Sequence, residues 1–88
     1  MSKLLQDVNL GKNLKMIRKA KKMRQIDVCA RMDLLGRPML QSTYAQIESG
    51  KRNLFISDLI AFTKVFGVSY DELFAGLEMI SKFQKIEL

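Results

Sequence analysis

Between Gln41 and Arg52 the chain reads as one short helix with a marked stop. Gly50 stands where a left-handed residue closes a helix, because glycine takes positive φ without a Cβ clash. Lys51 and Arg52 follow beside the negative end of the helix dipole. At about 100° per residue, Leu40, Thr43, Tyr44 and Ile47 fall on one side, a narrow apolar stripe that needs a core. Gln41, Ser42, Ala45, Gln46 and Ser49 fall on a separate arc of about 140°. That second arc carries amides and hydroxyls and no charge. An ordinary solvated face is rich in Lys and Glu. Glutamine can donate and accept at once, as a base edge requires. The helix therefore has to lean on other elements while showing a polar, patterned side outward.

With 88 residues there is room for one small domain. Hydrophobic residues make up 48%, enough for a modest core. Lys and Arg number 15 against 9 acids, a net charge of +6. That excess suits a polyanion, whether nucleic acid or an anionic membrane surface. It is concentrated: residues 1–24 hold eight Lys and Arg and one acid, Asp7, while residues 25–88 hold seven and eight. Cys29 is the single cysteine, so neither a disulfide framework nor a cysteine metal site is expected. A free thiol fits a reducing cytoplasm; no apolar run reaches membrane-spanning length and no signal-peptide pattern is present. Without histidine, a nucleophile–base pair or a phosphate-cradling glycine loop, an enzyme is not expected, nor a cofactor, metal or small-molecule ligand.

Residues 1–9 form a lead. The pattern is helical from Leu10 to Lys22, with Asn9 as N-cap and Leu10, Leu14, Ile17 and Lys21 on the 3, 4 spacing beside Ala20. Lys12, Lys15, Lys19 and Lys22 lie off that stripe. Either they are a solvated face with snorkelling stems, or they face phosphates; the lack of balancing acids favours phosphate. A second helix is expected from about Gln25 to Leu35, burying Ile26, Val28, Cys29, Met32 and Leu35, with Gly36 and Pro38 ending it. Cys29 reads as packed and inert. The Gln41 helix is the third. Tyr44 is expected in its core with the hydroxyl at the surface. Ser57 reads as the N-cap of a fourth helix through Phe66, stopped by Gly67. Ser69 and Glu72 form a capping box opening a fifth helix. Residues 77–88 repeat a helical pattern with Leu77, Ile80 and Phe83, an amphipathic tail that packs on its own domain or serves a dimer. No alternating strand pattern competes, so the class is all-α.

Four runs then carry a resemblance: Leu14 to Arg18, Gln25 to Val28, Ile47 to Arg52 and Phe66 to Phe74. In this order they resemble the phage repressor and Cro (XRE-like) family of helix-turn-helix proteins over roughly Leu10 to Gly76. The resemblance implies a compact five-helix bundle at residues 10–76, whose second and third helices form the helix-turn-helix, with 1–9 as lead and 77–88 as tail. It also implies residue roles. Gln41, Ser42 and Gln46 match positions that read base edges in the major groove. Gln25 and Thr43 match phosphate-holding positions, and Lys51, Arg52 and Asn53 match the loop that follows the DNA backbone. Arg18 and Glu48 match a structural pair tying the first helix to the third.

Two departures stand out. The turn around Leu34 to Leu40 is longer than is usual for the family. Arg24 and Leu40 occupy places where the family commonly has a Ser or Thr N-cap.

The function expected is a sequence-specific regulator of transcription that binds double-stranded DNA, repressor-like and prokaryotic, as a homodimer on DNA. The alternative is an antitoxin-like or adaptor module that keeps the fold without reading DNA. The enlarged turn and the apolar tail motivate it.

Overall fold

The computed structural model describes residues 3, 4, 6 and 8–78, with 3 and 4 as backbone only. Element order is β1 (Lys3–Leu4), α1 (Leu10–Ala20), α2 (Gln25–Leu34), α3 (Gln41–Glu48), β2 (Leu54–Phe55), α4 (Ile56–Phe66) and α5 (Tyr70–Leu73). The class is all-α. The two strands make a two-residue antiparallel ladder, Lys3 opposite Phe55 and Leu4 opposite Leu54, too short to show alternation in sequence. The expected tail from residue 79 onward lies outside the described residues. Leu77 lies within them and packs against the core.

Each helix start has its own solution. Asn9 accepts from the Lys12 amide at 3.1 Å, the side-chain cap its position suggested. At α2, Arg24 cannot cap, so the Asp27 carboxylate reaches back to the Arg24 amide at 2.7 Å. That carboxylate also pairs with the Arg24 guanidinium at 3.0 Å. Leu40 gives α3 no side-chain cap. At α5, Ser69 and Glu72 form the expected reciprocal box. Ser57, expected as the N-cap of α4, lies inside that helix, and Phe55 is the cap residue. The reason is Asp58: its carboxylate accepts from the Phe55 amide at 3.0 Å, satisfying the helix start from the third position.

The core forms where α1, α2, α3 and α4 meet. Leu14, Val28, Met32, Tyr44, Phe62 and Leu73 are fully buried. Phe62 is its centre: its ring sits 5.7 Å from Tyr44 and 6.4 Å from Phe66. A buried aromatic of this kind contributes about 1.5–3 kcal/mol by area alone.

Several burial expectations are corrected. Lys21 is exposed, and the buried place on α1 goes instead to Arg18, whose charge finds a partner on α3. Ile26 and Leu35 are 53% and 45% exposed, because α2 meets the core through Val28 and Met32, with Cys29 packed beside them. Leu40 is 73% exposed, since the helical count does not hold for a residue in extended conformation before the first turn. The Tyr44 hydroxyl, expected at the surface, is buried beside the Arg18–Glu48 pair, with no well-aligned hydrogen-bond partner among the described residues.

The connection between α2 and α3, residues 35–40, is anchored. Gly36 takes φ +79. Arg37 then reaches Asp58 at 2.8 Å, and its guanidinium lies 5.8 Å from the centre of the Phe55 ring. The long turn is thus held against the start of α4.

Candidate nucleic-acid interface

The inner side of α3 is built from Tyr44, Ile47 and Glu48, all buried, with Thr43 half-buried beside them. That anchoring leaves Gln41, Ser42, Gln46 and Ser49 exposed on the outer side. For most of them the division follows from helical spacing: fixing 44, 47 and 48 inward turns 42, 45, 46 and 49 away, while Gln41, about 20° from Glu48 around the axis, is exposed at the first turn of the helix.

Beneath the outer face lies a polar chain. Arg18 meets Glu48 at 2.6 Å, with a second hydrogen bond at 3.1 Å, and its third donor goes to the Met23 carbonyl at 2.9 Å. Gln25 donates to the same Glu48 carboxylate at 3.0 Å. Gln41 in turn donates to the Gln25 amide oxygen at 3.4 Å. The start of α2 and the start of α3 are therefore linked through two amides to one buried ion pair. Burial pushes the Glu48 carboxyl up, but the hydrogen bonds from Arg18 and Gln25 and the Arg18 charge outweigh it, holding the carboxyl below its ordinary value. Burial first, then the Glu48 charge, holds the Tyr44 phenol protonated far above its usual range. The Cys29 thiol is pushed up by burial too, which suits a packed thiol.

The exit from α3 is organised as well. Gly50 takes φ +78 and lies against the Asn9 side chain. Lys51, Arg52 and Asn53 are exposed. Arg52 donates to the Gln46 side-chain oxygen at 2.9 Å, so one candidate base reader and one candidate phosphate holder orient each other. The Asn53 side chain accepts from the Gln6 amide at 2.9 Å.

Gln6 is a residue that sequence reasoning passed over. Its side chain donates to the Ile47 and Arg52 carbonyls at 3.0 and 2.8 Å, and accepts from the Gly11 amide at 3.1 Å. It closes the carbonyl end of α3 against the start of α1. A lone glutamine in a lead segment carries no pattern, and the two carbonyls it donates to are more than forty residues away.

Among the described residues no helix is long and apolar enough to cross a membrane. A family model for helix-turn-helix domains matches residues 14–73. No curated protein and no solved structure matches the chain.

Proposed function

The chain belongs to the helix-turn-helix family of phage repressor and Cro type, a DNA-binding family, and we propose that it is a sequence-specific regulator of transcription. The observation that carries the proposal is the exposure of Gln41, Ser42 and Gln46 on a helix braced from behind by the Arg18–Glu48 pair. In this reading α3 enters the major groove. Gln41 and Gln46 take adenine edges, each worth about 1–3 kcal/mol against a wrong base. Ser42 adds a shorter contact. Gln25 and Thr43 hold phosphates at the helix starts, and Lys51, Arg52 and Asn53 follow the backbone past the helix end. Such contacts give affinity and register without sequence. A homodimer would set two copies of α3 about 34 Å apart, one duplex turn. Regulation then works by occupying an operator in the cytoplasm, with no chemistry on the DNA.

Selection of bound sequences from a random duplex library at several salt concentrations tests this. Enrichment of a defined half-site with a steep salt dependence is expected. Equal recovery of all sequences, or affinity indifferent to salt, would reject it.

A second reading draws on the enlarged turn, where Leu34 is 86% and Leu40 73% exposed. Apolar side chains in that position fit an adaptor that meets a protein partner. Under it, replacing Gln41 and Gln46 by Ala leaves function intact.

A further inference from the structure

Five described residues have a left-handed backbone. Four are glycines: Gly36, Gly50, Gly67 and Gly76. The fifth is Lys22, with φ +58. A Cβ in this region crowds the following carbonyl, which is why the chain uses glycine in the other four places. Lysine here is a departure that the local fold does not ask for, since glycine would make the same turn more easily. A residue kept in a disfavoured conformation points to a use for its side chain.

We propose that Lys22 is a DNA-phosphate anchor, gripping the sugar-phosphate backbone from the turn between α1 and α2. The proposal rests on the DNA-binding reading above. Three further observations carry it. First, the turn is hydrogen-bonded at successive positions and tied to α3. The Lys22 amide donates to the Lys19 carbonyl at 3.0 Å, and the Met23 amide to the Arg18 carbonyl at 3.0 Å. The Met23 carbonyl accepts from Arg18, the same guanidinium that holds Glu48 on α3. Lys22 therefore stands at a set distance from the outer face of α3.

Second, the neighbouring cation is occupied and Lys22 is not. Arg24 is paired with Asp27 at 3.0 Å. Among the described residues no carboxylate pairs with Lys22, and the residue is exposed.

Third, Lys22 does not stand alone. On α1, Gly11 and Arg18 both touch α3. At about 100° per residue, Lys15 and Lys19 lie on the solvent side of that same edge, leading toward Lys22. A row of lysines along that edge of α1 fits phosphates spaced along one strand. The last of them, Lys22, lies in the turn that leads into α2 at Gln25.

The test compares Lys22→Gly with the wild-type chain, and with Lys64→Gln on α4 as a control. Binding to a fluorescent random-sequence duplex is titrated from about 50 to about 200 mM salt, and thermal melting is recorded in parallel. Lys22→Gly relieves the backbone and removes the charge. It should melt higher, yet bind severalfold more weakly, with the log–log salt slope smaller by about 0.9, the share of one phosphate. Lys64→Gln should leave the slope unchanged. Lys22→Asn, which also tolerates the left-handed region, should lose the same slope and guards against a folding artefact. If both Lys22 variants keep the wild-type slope, the anchor is overturned while the DNA-binding reading stands. If the wild-type chain shows no salt-dependent binding, both fall.

Discussion

Gly11 of α1 lies directly against the Ile47 carbonyl of α3. A Cβ added at Gly11 would fall on that oxygen and within 2.6 Å of the next carbonyl oxygen, that of Glu48. The two backbones touch because there is no side chain between them. This closeness brings Arg18 within reach of Glu48 and lets Gln6 bridge both helix ends.

Gly11→Ala should therefore destabilise strongly. Backbone atoms cannot move aside as a flexible side chain can, so the cost should be at or above the upper end of ordinary overpacking, about 3 kcal/mol. Gly36→Ala has open space around it and only the positive φ to oppose it, so about 1–2 kcal/mol is expected. Chemical denaturation of the two variants checks the order. Equal losses would mean that α1 and α3 are not in backbone contact.

Glu48→Gln should cost about 3–5 kcal/mol, because it leaves the Arg18 guanidinium buried without its counter-charge. The same pair sets an acid limit. Glu48 is held below its ordinary value, so its stabilisation is complete above the usual glutamate range, near about pH 4.3. It is lost as pH falls through the lower, folded-state value. Melting temperature should drop on that acid limb in the wild type and much less in Glu48→Gln. Parallel acid limbs would assign the loss to other carboxylates.

Gln41→Ala and Gln46→Ala should leave folding within about 0.5 kcal/mol of wild type, as for other exposed positions. Each should relax discrimination at one base step by about 1–3 kcal/mol. Gln46→Ala also frees Arg52, so its effect should not add simply to that of Arg52→Ala. Competition binding with single-base variants of a selected site measures both. Unchanged base preference in Gln41→Ala and Gln46→Ala would move the reading face elsewhere.

Gln6→Ala should cost about 1–3 kcal/mol, the penalty for leaving carbonyls at a helix end unmatched. Amide exchange should quicken at the C-terminal turn of α3 and at Asn53 more than in α4. Uniform quickening throughout would show that Gln6 supports the whole fold and not the α3 exit.

Helix periodicity, the Ser69–Glu72 box and the glycine stops at Gly36, Gly50 and Gly67 were all readable in sequence. So was the outward arc of α3, because each depends on residues within a turn or two of one another. The assignment of Ser57 as a cap failed within that same range, because two local solutions competed and the Asp58 carboxylate is the better acceptor. The burial of Arg18 in place of Lys21, the exposure of Ile26 and Leu40, and the hidden Tyr44 hydroxyl were decided by which helix packs on which side.

Sequence alone determined where the helices run, which side of α3 faces outward and the family to which the chain belongs. Tertiary structure alone decided the Gly11–Ile47 contact, the Gln6 bridge, the Arg37–Asp58 anchor and the left-handed Lys22. Three of these join residues 21 to 46 positions apart, and the fourth is a backbone state that no side-chain pattern announces. Periodicity records how a residue sits on its own helix; it holds no information about which distant backbone will come to lie against it.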